Sequence, residues 1–339
     1  MVVVSHTRLD SFPGGTGVTV FFSISGFIIT HLLLKEWDSA GTFNIGEFYS
    51  RRAWKILPPL FFCILLPTLV LAVFRPINWN AFSGMVFFYY NWLDAYGMHP
   101  SLNGSSVVWS LSIEEQFYIA FAAFWLVAVK RGLRMRTFAL GVFIVIIASL
   151  VIRIMLASKS ETLYYRIYEG SDTRADGIAY GVLIALALNH ARRYNGLVRR
   201  LVHLCEQNIA LFVAVLIFLV TFGVRDEWFR DTFQYSLRSI ATCLLIIYGF
   251  GDDQTRLRRI FVALCNNRAI QLIGLASYSI YLAHSVVIEQ IAPLSRQWPT
   301  AINVPVEVLV GTSVGIAAYY AVERPAQRLR KSRAQKSGS

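Results

Sequence analysis

Apolar residues fall along this chain in long blocks, separated by short stretches that are polar and mostly basic. Clear cases are LPPLFFCILLPTLVLAVF (57–74), FALGVFIVIIASLVI (138–152), IALFVAVLIFLVTFGV (209–224) and VPVEVLVGTSVGIAAYYAV (304–322). A bilayer core needs about 20 apolar residues of helix to cross it, and blocks of this length read as membrane spans. The pattern predicts an all-α, polytopic transmembrane helical bundle. Nine complete spans are placed at 16–34, 56–74, 108–129, 137–157, 176–190, 208–224, 235–250, 270–290 and 304–322. The stretch AFSGMVFFYYNWLDAYG (81–97) is apolar too, but it is short and rich in the aromatic residues that favour the interface. It is read as an interfacial or re-entrant segment. The span 176–190 is short for a crossing and is expected to tilt or thin the bilayer. The opening VVVSH (2–6) cannot cross at all, and is read as the outer stub of a partial first helix, N-terminally truncated.

Composition excludes a soluble globule. The chain is 55% hydrophobic and only 15% charged, against about 25% charged in soluble domains. Its net charge of +12 does not point to nucleic acid, because most of the 32 basic residues sit in five short segments: 35–55, 130–136, 192–200, 256–268 and beyond 323. That is the pattern of a topology signal. All five segments are cytoplasmic together if the C-terminus is cytoplasmic. Residues 326–339 then form a basic tail, expected to be disordered and to lie near anionic lipid. The four cysteines have no paired spacing, so neither a disulfide framework nor a metal site is expected. No cleavable signal peptide is read at the N-terminus.

Ionisable residues in or beside spans are costly and mark candidate chemistry. His6 and Asp10 stand four apart, a spacing that on a helix would let the carboxylate orient the imidazole, although Pro13 and Gly14 follow closely. In WSLSIEEQFY (109–118), Glu114 and Glu115 either complement a helix N-terminus, with Ser110 or Ser112 as cap, or turn one carboxylate into a cavity. In FYSRRAWKILPP (48–59), Arg51, Arg52 and Lys55 are either positive-inside anchors or a phosphate site. Arg174 and Asp176 in SDTRADGIAYG stand at the outer mouth of the short span, where a local salt bridge is the plainer reading. His284 lies inside an apolar helix, where an ordinary hydrogen-bonded core histidine is the alternative. Glu323 precedes Pro325, which is expected to stop the last helix, and can pair with Arg324 or a neighbour.

Taken in order, GGTGVTVFFSISGFIIT, FYSRRAWKILP, WSLSIEEQFY, TRADGIAYG, SYSIYLAH and VERP resemble the acyltransferase-3 family, the integral-membrane O-acyltransferases of the O-antigen and exopolysaccharide acetylase type. The resemblance covers His6 to Pro325 and implies a membrane acyltransferase domain over 1–325, with about ten helices in a bacterial inner membrane. It implies O-acetylation of a polysaccharide: an acyl group, acetyl by preference, moves from acyl-CoA to a hydroxyl of a carbohydrate or glycolipid acceptor. Acyl-CoA is then a donor substrate, not a bound cofactor. The family's essential histidine falls on His6, its Arg-Arg-x-x-Arg motif on Arg51, Arg52 and Lys55, and its Ser-Leu-x-x-Glu carboxylate on Glu114. Two departures stand out. No arginine precedes the histidine, and Lys55 keeps the charge of the third arginine but loses its fork. The expected mechanism uses His6 as general base, with Glu114 or Asp10 holding its tautomer, or as an acyl-accepting nucleophile. The other readings of the chain are a proton-coupled transporter or flippase and an inactive truncated paralogue. The acceptor and the oligomeric state are left open.

Overall fold

The computed structural model describes residues 2–7, 14–41, 44–159, 163–251, 255–295 and 297–337, and these form helices and turns with no strand among them. In chain order the helices begin with α1 (Val2–Ser5), α2 (Gly14–Ala40), α3 (Ile45–Leu60), α4 (Leu66–Phe74), α5 (Trp79–Val86) and α6 (Tyr90–Ala95). They continue with α7 (Val108–Lys130), α8 (Met135–Ala157), α9 (Tyr164–Glu169), α10 (Ser171–Arg193), α11 (Leu197–Cys205) and α12 (Asn208–Gly223). The last are α13 (Glu227–Asp231), α14 (Phe233–Phe250), α15 (Arg256–Cys265), α16 (Arg268–Ser295), α17 (Thr300–Ala318) and α18 (Arg324–Ser337).

Six stretches are long and apolar enough to cross a bilayer: Gly14–Ser39, Ile45–Phe74, Ser105–Lys130, Met135–Ala157, Arg268–Ser295 and Thr300–Arg333. The pair α11 and α12, bent by 70°, makes a seventh if taken as one span. The chain is thus an integral membrane protein by its helices. The nine-span pattern counted two further helices that are too polar for this test. α10 has 23 residues, about 34 Å at 1.5 Å per residue, but carries Asp172, Arg174 and Asp176. α14 carries Gln234 and Arg238. The 176–190 segment is therefore not short: its helix begins at Ser171. The stretch 81–97 forms no crossing, only the short helices α5 and α6.

Two compact units divide the chain. The first comprises Met1–Gly14, Asn44–Ser112 and Asn267–Ser339, and the second Gly15–Phe43 and Ile113–Asn266. In the first unit, α3 and α4 run on through a π-helical turn, Phe61–Leu65, as one 30-residue span. α17 continues through a second π-turn, Tyr319–Glu323, into α18. Pro325 therefore does not end the helix. It lies just past the π-turn, where the regular i→i−4 ladder is already interrupted and a missing N–H is tolerated.

In the second unit, α2 and α10 touch backbone to backbone. A Cβ on Gly26 would lie 2.0 Å from the Ile178 carbonyl oxygen, and one on Gly181 would lie 2.0 Å from that of Ser23. Small residues at such crossings let helices pack closely without a hydrophobic drive. Beside this crossing a core of Leu33, Phe121, Trp125, Phe138 and Val182 fills the unit, with Phe124 and Phe138 stacked at 4.6 Å.

Candidate functional site

The first unit brings together His6 and His284. α1 ends at Ser5 and His6 lies in the turn that follows, where the Thr7 N–H reaches the Val4 carbonyl at 3.2 Å. The helical His6–Asp10 spacing therefore does not apply, and Asp10 lies outside the described residues. The His6 ring meets the His284 ring edge to face, with centroids 5.0 Å apart. His6 is exposed, whereas His284 is fully buried in α16. The Ser285 hydroxyl stands 3.4 Å from His6 Nδ1.

His284 is held in one tautomer. Its Nδ1 lies 3.0 Å from the Ile280 carbonyl oxygen, which can only accept, so Nδ1 carries the proton. The proton-free Nε2 has no hydrogen-bond partner among the described residues. Close helix packing holds the ring in place. A Cβ on Gly311 of α17 would stand 3.3 Å from the His284 Cβ, so glycine there lets α17 press against α16. The next residue but two before His284, Tyr281, ties α16 to the start of α7: its hydroxyl donates to the Val107 carbonyl at 2.9 Å and lies 2.7 Å from Ser110 Oγ.

The basic motif sits on α3, not in a loop. Asn44 caps that helix through the Glu47 N–H, so the helix begins well before Arg51. Arg51 pairs with Glu47 at 2.8 Å one turn back, and Lys55 is exposed. Lys55 also acts electrostatically on Glu323. Glu323 is buried and takes hydrogen bonds from Ser279 at 2.6 Å and Gln327 at 3.1 Å, while Arg324 instead lies over the Tyr320 ring. Glu323 is thus held by Ser279 from α16 and by its neighbour Gln327, not by Arg324.

The second unit holds Glu114, Arg174 and Asp176. α7 begins at Val108, so Glu114 and Glu115 lie nearly two turns inside it and are buried. The helix-terminus reading fails for both. Ser110 and Ser112 are likewise interior, with Ser112 donating back to the Val108 carbonyl. Within its unit Glu114 accepts from the Tyr118 hydroxyl at 3.0 Å.

Arg174 and Asp176 form no local salt bridge with each other. Asp176 takes both arms of Arg153 from α8, at 2.9 and 2.7 Å, and the Ser236 hydroxyl at 2.9 Å. Arg153 Nε also reaches the Thr232 carbonyl at 3.0 Å. Arg174 lies 3.9 Å over the Tyr235 ring and donates to the Thr19 hydroxyl.

Sequence reasoning missed Arg153, Ser285 and Glu307. Arg153 and Glu307 each interrupt an apolar block, which is the signal that could have found them. Glu307 of α17 is buried and accepts from Ser295 at 2.7 Å, and Asn303, one turn away, is wholly buried with its amide unpartnered among the described residues. Ser285 carried no signal beyond its place beside His284.

Comparison with known proteins adds the relationship. Residues 1–324 match the family described as Acyltransferase domain. A provisionally named O-acetyltransferase of Staphylococcus aureus (strain COL) is 31% identical over 310 residues, covering 85% of this chain and 48% of its own length. The peptidoglycan O-acetyltransferase OatA of Listeria monocytogenes is 26% identical over 316 residues, covering 86% of this chain and 48% of its own length. The O-acetyltransferase OatA of Staphylococcus aureus (strain NCTC 8325) is 25% identical, covering 96% of this chain and 55% of its own. The chain thus spans about half the length of the curated relatives it matches. No solved structure matches it.

Proposed function

The chain belongs to the acyltransferase-3 family, and on that premise we propose that it moves an acyl group from acyl-CoA to a hydroxyl of a carbohydrate acceptor. Acetyl is the group named for its relatives, and a peptidoglycan-type glycan is the acceptor named for one of them. The reaction is an ester exchange. The acceptor oxygen attacks the thioester carbonyl, a C–O bond forms, the C–S bond breaks, and CoA leaves as the thiol.

An alcohol is barely ionised at neutral pH, so a base must take its proton as attack proceeds. His6 fills that role: it is the exposed residue of the histidine pair. It takes the hydroxyl proton and returns it to the leaving thiolate, a contribution of about 10²–10⁴-fold in such reactions. His284 acts through His6 as a positioning residue. Its ring, fixed by the Ile280 carbonyl, packs against His6 and limits how that imidazole can turn. Arg51, Arg52 and Lys55 hold the phosphates of the donor from the middle of α3, where guanidinium forks match phosphate oxygens. Under this reading the acceptor works on the His6 side, and the C-terminal helix faces the cytoplasm.

The observation that carries the proposal is the contact of an exposed histidine with a buried, tautomer-locked one. Its test is thiol release and acyl transfer by purified protein supplied with acetyl-CoA and an oligosaccharide acceptor. His6→Gln is expected to lose transfer while purifying in wild-type yield. Transfer at the wild-type rate by that variant would remove His6 from the chemistry.

A further inference from the structure

The second unit contains a cleft of about 1100 Å³ between the ends of α10, α11, α12 and α14. Its wall includes Arg192, Arg199, His203, Glu206, Asn208 and Phe250. None of these belongs to the histidine pair or the α3 basic motif.

α11 has three distinct faces. Val198, Val202 and Cys205 pack on the core beside Ala191 and Ile247. Leu197, Leu201 and Leu204 are exposed. Arg199, His203 and Glu206, spaced four and three apart, share the face that lines the cleft. α11 meets α12 at a 70° bend, and Asn208 and Ile209 at the start of α12 complete the wall.

Among the described residues, cations outnumber carboxylates at this wall. His203 Nδ1 lies 3.3 Å from Glu206 Oε2, so the wall's carboxylate is engaged by its own helix. Arg258 is 5% exposed, and neither Nη1 nor Nη2 of its guanidinium has a hydrogen-bond partner among the described residues. It lies at the same wall: a Cβ on Gly251 would be 2.7 Å from both Arg258 Nη1 and Glu206 Cγ. Arg258 also lies over the Tyr248 ring at 5.4 Å, and buried N–H groups without hydrogen-bond partners are costly. Asn208 supplies neutral donors beside it. Its Oδ1 is taken by the Tyr248 and Thr255 hydroxyls, at 2.9 and 3.1 Å, which leaves the amide N–H groups for the cleft. Arg192 and Arg199 thus line the cleft, and Arg258 stands behind the same wall beside Glu206, the one carboxylate of the lining among the described residues.

We propose that this cleft is a phosphate-binding site, built from Arg192, Arg199, Arg258 and the Asn208 amide. Phosphate oxygens suit the guanidinium fork and accept from several donors at once. α11 also exposes Leu197, Leu201 and Leu204, so a phospholipid headgroup and a soluble phosphate share the chemistry the cleft recognises.

The test measures binding to the purified full chain in neutral detergent with three probes: inorganic pyrophosphate, dihexanoyl-phosphatidylglycerol and dihexanoyl-phosphatidylcholine. At least one of the two anionic probes is expected to bind more tightly than phosphatidylcholine and to weaken with salt. Arg258→Gln should weaken that binding about tenfold, and Arg199→Gln, an exposed change that leaves the core intact, about threefold. Glu206→Gln should strengthen it by removing the carboxylate that competes for the cations. Binding of phosphatidylglycerol alone identifies a lipid headgroup, and binding of pyrophosphate identifies a soluble phosphate; both support the site. The proposal is overturned if neither anionic probe binds, if phosphatidylcholine binds equally well, or if Arg199→Gln and Arg258→Gln bind as wild type does.

Discussion

The histidine pair of the first unit and the Arg153–Asp176 cluster of the second are both polar groups inside an apolar helical protein, but they are satisfied to different degrees. Arg153 and Asp176 use both arms and both carboxylate oxygens on each other, and Ser236 and the Thr232 carbonyl take up what is left. Neither is exposed. Such a cluster ties α8, α10 and α14 together and has nothing to offer a substrate. In the other region His284 keeps Nε2 without a partner among the described residues, and the residue it touches, His6, is exposed. Burial of ionisable groups alone does not mark chemistry; incomplete pairing beside an accessible group does.

That contrast predicts different failures. His6→Gln should cost about 10²–10⁴-fold in transfer rate, with thermal stability unchanged, as read by acyl transfer and by unfolding of the same preparation. Arg153→Met should do the reverse. Leaving the buried Asp176 carboxylate without its cation costs about 3–5 kcal/mol, so the protein should accumulate poorly and unfold at a lower temperature. Replacing both partners, as Arg153→Met with Asp176→Leu, should recover much of that loss, because a buried pair is worth little more than an apolar one. Recovery of stability without any change in transfer per folded molecule would confirm the purely structural role.

Smaller effects sharpen the same division. His284→Gln is expected to lower kcat about tenfold, since a mispositioned base loses part of its contribution, while the KM for acyl-CoA stays unchanged. A rise in that KM would place His284 on the donor instead. Arg52→Ala should show the opposite split, raising the donor KM several-fold through the loss of a charge-assisted phosphate contact, with kcat nearly preserved.

Much of the fold was legible because apolar blocks are long and bilayers demand length. α8 and α16 appear in the sequence almost as drawn, whereas the Ile45–Phe74 span begins eleven residues before the 56–74 block, because the basic residues of α3 read as a loop. α10 was misread because hydropathy penalises the polar run Ser171–Arg174, yet those side chains are satisfied inside the unit: Thr173 donates to the Ile167 and Gly170 carbonyls, and Arg174 stacks on Tyr235. Glu114 was placed at a helix end although the span drawn from 108 starts where α7 does, because the polar run in WSLSIEEQFY read as a terminus; in the fold Glu114 is buried nearly two turns in. The site was legible residue by residue but not as pairs. Arg153 and Asp176 stand 23 positions apart on different helices, and His6 meets a ring near the far end of the chain. Spacing rules reach only along one helix; contacts between helices are decided by packing, such as the approach Gly311 allows.

The claim that His284 acts only through His6 is tested most directly by a double-mutant cycle on kcat, with His6→Gln, His284→Gln and the two combined. The double variant is predicted to be no slower than His6→Gln alone, because a positioning residue has nothing left to position. Losses that multiply, with the double variant slower by the product of the two single effects, would contradict the pairing and assign the histidines to separate tasks.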